Sequence, residues 1–208
     1  MKTDFKKTLD SYRARAGEFR FLDVPPLRYL MVDGHGDPNA DGEYGDALQA
    51  LYPVAYTLKF ASKRDLGQDH DYVVPPLEAL WWAPDMSVFT TARDKSRWDW
   101  TAMLLVPDWI TAEMVDDAVA AVAAKQRPVA LGKLRLETLR EGRCVQTLHL
   151  GSYDDEGPVL SEMHDRVIPD AGLRMTGRHH EIYLSDPRRV APDKLRTILR
   201  QPVEQVQG

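Results

Sequence analysis

The chain has 208 residues, with 27 lysines and arginines against 32 aspartates and glutamates, so its formal net charge is −5. Hydrophobic residues make up 43% and charged residues 28%, which excludes a disordered chain and is typical of a globular protein. The acidic balance lacks the basic footprint of direct nucleic-acid binding. Because neither a membrane-spanning run nor a signal peptide is visible, we expect a cytoplasmic protein without membrane contact.

The first half of the chain predicts an amino-terminal arm followed by alternating elements. Residues 1–24 are mixed in character and are expected to pack on the body as an arm. Apolar spacing after the arm predicts a strand, a helix and two further strands, at 27–33, 43–60, 73–82 and 98–106. Pro53 lies inside the helical pattern, where it predicts a kink or a restart of the helix.

The second half begins with a helix from about residue 111 to 125, for which Thr111 is the expected amino-terminal cap. Strands are predicted at 134–139 and 143–150, and the segment Arg140-Glu141-Gly142 between them predicts a hairpin. The remaining elements are a helix and two strands, predicted at 158–168, 176–185 and 195–203.

The order of these elements repeats. A β-α-β-β order over residues 27–107 returns over residues 143–203, and residues 108–142 connect the two repeats. The third elements align without a gap, because the segment that starts at Glu78 matches the one that starts at Glu181, 103 positions later. We therefore predict an α+β fold made of a duplicated β-α-β-β unit with two antiparallel half-sheets, in a single domain over residues 25–208.

Alternation along the third strand of each repeat predicts where a ligand lies. Side chains of a strand point to opposite faces in turn, so Ile182 and Leu184 are expected to face a helix-covered core. The opposite face then carries His179, Glu181 and Tyr183. By the alignment, Glu78 and Trp82 occupy the corresponding face of the first repeat.

If the two half-sheets meet, aromatic rings line a central cleft with one or two carboxylates at its floor. Aromatic walls attract flat or cationic ligands, and a poorly solvated carboxylate pairs with a lipophilic cation or acts as a general base on water. Trp81 and Trp82 point to opposite faces, so only one of them lines a given cleft. Trp100 and Tyr56 are candidate ligand contacts whose alternative role is packing in the core.

Several stretches of the chain resemble the stand-alone GyrI-like small-molecule-binding proteins. The resemblance extends over nearly the whole chain. The similar segments are 2–6 and 25–26, Tyr52–Phe60, Glu78–Trp82, Trp98–Thr101, Gly142–Cys144, His179–Pro187 and Lys194–Arg200.

The resemblance implies two units related by pseudo-two-fold symmetry, with the ligand between them and a buried glutamate, here Glu181, that faces aromatic compounds. Relatives include effector-binding domains of multidrug-sensing activators and hydrolases of cyclopropane-bearing toxins, which use glutamate, tyrosine and tryptophan side chains. Catalytic candidates are thus Glu181 and Tyr183. The ligand-binding candidates are Trp82, Trp100, Tyr56, Glu78 and His179.

Other chemistries find little support in the sequence. Adjacent strand histidines such as His179 and His180 face opposite ways, and no third ligand stands at a recognised spacing, so we expect neither a metal nor a cofactor. Cys144 is the single cysteine, which excludes an intramolecular disulfide and favours an inert buried thiol.

The function that we expect is binding of flat hydrophobic or cationic compounds in an aromatic cleft, with hydrolysis of electrophilic, cyclopropanoid-type xenobiotics by a glutamate-activated water. Two alternatives remain open at this point. One is a non-catalytic protein that sequesters drugs, and the other is a protein that binds and protects DNA gyrase.

Overall fold

The computed structural model describes residues 2–40, 42–89 and 94–206, whose antiparallel strands and helices fall into two units. Unit 1 comprises residues 1–9 and 27–139, and unit 2 comprises residues 10–26 and 140–208. Sheet and helix in both units confirm the predicted α+β class. The predicted division into an arm and a single domain stays a prediction, and the ends of its ranges, residues 1 and 207–208, lie outside the described residues.

Strands and helices follow each other in the order that the sequence predicts, with a few additions. The strands are β1 (Arg20–Val24), β2 (Leu27–His35), β3 (Leu77–Trp82), β4 (Asp99–Val106), β5 (Arg135–Leu139), β6 (Gly142–Leu150), β7 (Leu173–Met175), β8 (His179–Tyr183) and β9 (Arg196–Gln205). The α-helices are α1 (Phe5–Thr8), α2 (Glu43–Asp65), α3 (Ala112–Lys125), α4 (Gly157–Ser161) and α5 (Ile168–Asp170). A π-helical turn, Glu162–Val167, joins α4 to α5. No helix among the described residues is both long and apolar enough to cross a bilayer.

The sheet of unit 1 has the strand order β3-β4-β2-β5, and its two faces differ. Helix α2 covers one face, where Tyr44 contacts the rings of Trp81 and Trp100. The other face carries an apolar cluster, into which α1 and the end of β3 also pack. Its buried members are Tyr29, Met31, Leu80, Met103 and Leu105.

The sheet of unit 2 has the strand order β8-β9-β6-β1, and β7 pairs with the end of β9. The helical segment from α4 to α5 packs on one face through Met163 and Ile168, both of which are buried. Strand residues complete this core, namely Val145, Leu173, Leu199 and Val203. Leu199 lies directly opposite Glu181 in the β8–β9 register, which becomes important for the candidate site.

The two units share a strand order. In unit 1 the β-α-β-β sequence β2, α2, β3, β4 pairs as β3-β4-β2, and in unit 2 the strands β6, β8 and β9 pair as β8-β9-β6. A further strand lies beyond β2 in one unit and beyond β6 in the other. This equivalence supports the predicted duplication, which itself stays a prediction together with its pseudo-two-fold symmetry.

Three local predictions differ from the structure. The hairpin predicted at Arg140-Glu141-Gly142 does not form, because β5 pairs with β2 while β6 pairs with β1 and β9. Of the kink or restart predicted at Pro53, the structure excludes the restart, because helix α2 continues to Asp65, and the kink stays a prediction. Residues 20–24, predicted as part of an arm, form strand β1 against β6. By contrast, Thr111 accepts a hydrogen bond from the Met114 backbone and caps α3, as expected.

A buried ionic network fixes residue Glu141, which lies where the hairpin turn was predicted. The Glu141 carboxylate, which is 4% exposed, lies 2.9 Å from Nδ1 of His180 and accepts a 2.9 Å hydrogen bond from Nη1 of Arg200. Arg200 also donates to Oε1 of Gln146 and to the carbonyl oxygen of Ser11. The network thus holds the predicted turn against β6, β8 and β9.

Gly34 on β2 leaves room for the buried indole of Trp100, since a Cβ atom at residue 34 would overlap its six-membered ring. We expect Gly34→Ala to lower the free energy of unfolding by about 1–3 kcal/mol, because the indole is enclosed and cannot withdraw. Gly45→Ala is the matched control, since its Cβ meets nothing and alanine favours helix by up to about 1 kcal/mol. Urea denaturation followed by circular dichroism measures both, and equal stability of the two variants would contradict this packing role.

Acid lability should depend on Glu141. Burial alone would raise the pKa of its carboxyl, but the charges and hydrogen bonds of His180 and Arg200 outweigh burial and lower this pKa to about 2. A carboxyl whose pKa falls on folding stabilises the protein above its unfolded pKa, about 4.3, and this contribution disappears as the pH falls toward 2. Glu141→Gln should lower the free energy of unfolding by about 3–5 kcal/mol at pH 7, because it leaves a buried arginine unpaired. When the pH is then lowered, this variant should lose less stability than the wild type does.

Denaturation at pH 7 and pH 3 measures this difference. Asp170→Asn, at an exposed carboxylate of the same unit, should behave like the wild type at both values. An acid-induced loss of the same size in Glu141→Gln and the wild type would show that Glu141 does not carry it.

Candidate functional site

Glu181 lies on the helix-covered face of the unit 2 sheet. It pairs with Leu199, which belongs to the core under the helical segment, and His179 and Tyr183 share its face by strand alternation. The prediction that these three side chains line the face away from the helix is therefore wrong. The other face is also buried, since Ile182 is 0% exposed, so alternation of polarity could not tell which face the helix covers.

Two side chains of β8 adjoin the Glu181 carboxylate, and one of them forms a hydrogen bond with it. The hydroxyl of Tyr183 donates a 2.8 Å hydrogen bond to Oε2, and Nε2 of His179 lies 3.5 Å from Oε1. The Glu181 side chain is 13% exposed. Among the described residues of unit 2, no lysine or arginine forms an ion pair with it. The carboxylate thus keeps lone pairs available while it is largely removed from water.

Aromatic rings adjoin this carboxylate. Tyr153 packs edge-on against Tyr183, with ring centroids 5.4 Å apart. Burial, followed by the negative charges of Glu156, Glu181 and Asp186, raises the pKa of Tyr153 to about 12. Tyr153 therefore remains a neutral phenol at physiological pH. Sequence analysis missed it, because it lies 30 positions away on a short turn without a motif.

His164 is a second residue that sequence analysis missed. It lies on the π-helical turn, and its ring is 6.1 Å from that of His179 and nearly perpendicular to it. Burial, and then the neighbouring His179, lower the pKa of His164 to about 4. Single π-helical turns occur frequently at functional sites, but no sequence pattern reveals one, so His164 could be found only in the structure.

The arrangement around Glu181 supports two kinds of chemistry. A largely desolvated carboxylate beside aromatic rings attracts a lipophilic cation, because no lysine or arginine of the described part of unit 2 neutralises its charge. The same carboxylate can accept a proton from water that attacks a bound electrophile. Tyr183 can orient the carboxylate in both cases through its hydrogen bond.

Glu78 has a different environment from Glu181. It lies on the face of the unit 1 sheet away from α2, and Tyr29 donates a 3.2 Å hydrogen bond to its Oε2. It is 0% exposed. The predicted alignment thus matches a residue on the helix-free face of one unit with a residue on the helix-covered face of the other. A shift of one position exchanges the two faces of a strand, which is why the ungapped match misplaced this glutamate.

The aromatic residues of unit 1 that were predicted to contact a ligand lie in different places. Trp100 is 1% exposed and shares its face with Trp81, whereas Trp82 lies on the opposite face. Trp82 lines an open cavity of about 430 Å³ together with Asp33, His35, Glu43 and Asp99. Tyr56 is 48% exposed on α2, so its ring is accessible to a ligand. The structure therefore does not bring Trp82, Trp100 and Tyr56 together on one face of the sheet.

The described residues provide neither a metal-binding cluster nor a reactive thiol. Within the ranges 2–40, 42–89 and 94–206, no group of three histidine, cysteine, aspartate or glutamate side chains could hold a metal ion. Cys144 is buried on β6, and burial above all raises the pKa of its thiol to about 12. A thiol with that pKa is not a nucleophile at neutral pH.

Comparisons with solved structures place the whole chain beside proteins of Listeria innocua. One, titled an uncharacterized conserved protein, is 40% identical with a TM-score of 0.85, over 98% of this chain and 100% of that chain. Another, titled a hydrolase, is 38% identical with a TM-score of 0.82 over the same shares. The EcmrR C-terminal domain, at 12% identity and a TM-score of 0.56 over 91% of this chain and 98% of that one, shares the fold.

A family model agrees with these structural neighbours. No protein with a curated functional description matches the chain significantly. The model of the GyrI-like small molecule binding domain matches residues 101–204, which is half of the chain. With the full-length relatives at 38–40% identity, this match shows that the chain belongs to the GyrI-like small molecule binding domain family.

Proposed function

We propose that the protein binds flat hydrophobic or cationic compounds beside Glu181 and hydrolyses those that are electrophilic, of the cyclopropanoid type. Membership in a small-molecule-binding family supports the binding. A full-length relative titled a hydrolase supports the catalysis. The cytoplasmic location expected from the sequence is part of the same proposal.

The observation that carries this proposal is the state of the Glu181 carboxylate. One of its oxygens accepts a hydrogen bond from Tyr183, the other lies near an imidazole, and no cationic side chain of the described part of unit 2 is paired with it. A carboxylate with a structural role is normally saturated by arginine or lysine partners, as Glu141 is in the same unit. Glu181 therefore keeps lone pairs available for a water molecule or for a cationic ligand.

In the proposed reaction, Glu181 accepts a proton from a water molecule whose oxygen attacks a ring carbon of the cyclopropane. A carbon–oxygen bond forms, and the carbon–carbon bond of the strained ring breaks. The electron pair of the broken bond moves into the conjugated ring system of the substrate, which takes up a proton from the Glu181 carboxylic acid. Water is thus added across one bond, and no oxidant or reductant is needed.

Aromatic side chains hold the compound in this proposal. Tyr183 and Tyr153 form a pair of rings next to the carboxylate, and His179 lies on the same strand face. In unit 1, taken by itself, Tyr56 has an accessible ring and Trp82 lines a cavity, so each is proposed as a separate ligand contact of that unit. Trp100 and Glu78 are the least accessible of the candidates and would contact a ligand only after a local rearrangement.

Glu181→Gln tests the catalytic part. Loss of a general base typically lowers turnover by about 100- to 10,000-fold, so hydrolysis of a cyclopropane-bearing aromatic electrophile, followed by absorbance, should fall in that range. Tyr183→Phe should lower it by about tenfold, because one hydrogen bond to the carboxylate is lost. Glu18→Gln, at an exposed carboxylate of unit 2, is the control and should retain wild-type turnover.

The same measurement separates the alternatives. Stoichiometric binding with quenching of tryptophan fluorescence, but without product, would show a protein that sequesters its ligand. Turnover that is equal in Glu181→Gln and the wild type would remove Glu181 from the mechanism. A gyrase partner would be shown by retention of purified gyrase on the immobilised protein, with no change in Glu181→Gln.

A further inference from the structure

Three buried ring nitrogens near Glu181 make no hydrogen bond to any described residue. They are Nδ1 and Nε2 of His179 and Nε2 of His164. The His179 side chain is 8% exposed, and its Nε2 approaches Oε1 of Glu181 only to 3.5 Å. These three nitrogens are therefore buried without a hydrogen-bond partner among the described residues.

Such an arrangement is costly for a residue with only a packing role. A buried polar group without a hydrogen bond costs about 1–3 kcal/mol, and a phenylalanine or leucine would fill the same space without that cost. Two histidines at contact distance, both short of partners, point to a group that bonds to them from outside the chain.

The geometry suits a single bridging atom. The two rings are 6.1 Å apart between centroids and nearly perpendicular, and neither donates to the other. Because each hydrogen bond to oxygen spans about 2.9 Å, one oxygen atom can connect nitrogens up to roughly 6 Å apart. A buried water needs two to four polar partners, and the ring nitrogens with Oε1 of Glu181 supply that number.

Building on the proposed function, we propose that His164 and His179 form a subsite for one uncharged oxygen atom beside Glu181. In the free protein this oxygen belongs to a water molecule. In the complex it belongs to a hydroxyl or carbonyl group of the aromatic ligand. The preferred ligands are therefore flat compounds with one neutral oxygen substituent.

The charges of the surrounding side chains favour an uncharged oxygen over an anionic one. Burial and the neighbouring ring keep His164 neutral at physiological pH, so the subsite has no fixed positive charge from this residue that would attract an anion. The Glu181 carboxylate, close to His179, repels carboxylates and phosphates in addition. A neutral imidazole donates through one nitrogen and accepts through the other, which suits water, a hydroxyl and a carbonyl equally well.

The π-helical turn places His164 at this position. Residues 162–167 form i→i+5 hydrogen bonds, one residue wider than those of an α-helix, while Met163 within the turn and Ile168 directly after it remain in the core. The helical segment thus keeps its packing and still directs His164 to His179. His164 is accordingly a binding residue of the subsite, and neither residue is placed in the proton transfer.

Binding of 2-naphthol and naphthalene, which differ by one hydroxyl, tests the subsite by calorimetry. The wild type should bind 2-naphthol about fivefold to tenfold more tightly than naphthalene. This ratio should fall to about one in His164→Phe and in His179→Phe, which keep a ring but lose its nitrogens. His164→Gln and His179→Gln retain a hydrogen-bonding group at a similar distance and should restore part of the preference.

The outcomes separate this inference from the proposed function. If neither compound binds the wild type, the proposed function fails, and a crystal structure of the free protein then decides the subsite. An ordered oxygen bonded to His179 or His164 in that structure supports the subsite, whereas protein atoms bonded to all three nitrogens overturn it. Equal affinity of the wild type for both compounds, or an unchanged preference in both phenylalanine variants, also overturns it.

A titration of the His164 ring tests whether this residue is neutral at physiological pH. Nuclear magnetic resonance of the ring carbon should show a midpoint near pH 4 in the folded protein and near 6.5 in urea. Because folding lowers this pKa, the unfolded state binds the proton first, and the native state loses stability as the pH falls from about 6.5 toward 4. A midpoint near 6.5 in the folded protein would contradict a neutral subsite.

Discussion

A carboxylate held largely out of water, with no lysine or arginine of the described part of unit 2 paired to it, is the constraint on which the proposed function depends. Desolvation makes the charge of Glu181 costly, and the described side chains of unit 2 stabilise it with one phenol hydroxyl, while an imidazole lies nearby. Stability by itself would favour a neutral side chain at this position. The carboxylate is therefore best understood through what binds to it or gives it a proton.

Two neighbouring residues of β8, His180 and Glu181, lie in different environments on the two faces of the sheet. His180 points to the face where Glu141 and Arg200 form a saturated network with Gln146 and the chain at Ser11. Glu181 points to the other face, under the helical segment, where its partners are fewer. The first face connects β6, β8 and β9 rigidly, and this rigidity can hold the second face in a geometry that it would not adopt by itself.

The aromatic residues of unit 1 have more than one role. Trp100 is enclosed by Tyr44 and Trp81 and lies over Gly34, so it stabilises the contact of α2 with the sheet. Trp82 projects from the opposite face into an open cavity that carboxylates, His35 and Lys133 also line. Large rings contribute most to stability when fully buried, and they are available to ligands only when the packing leaves one side open.

The amino-acid sequence was enough to predict the α+β class, the order of most elements, and that Glu181 and Tyr183 are neighbours on one strand face. These follow from local periodicity, which depends only on residues near each other in the chain. Tertiary structure alone decided which face of β8 the helix covers, that Glu78 is enclosed with Tyr29, and that His164 and Tyr153 join the site. Register, the side a helix packs on and a π-helical turn depend on contacts between distant residues, and a strand buried on both faces has no polarity pattern that reveals them.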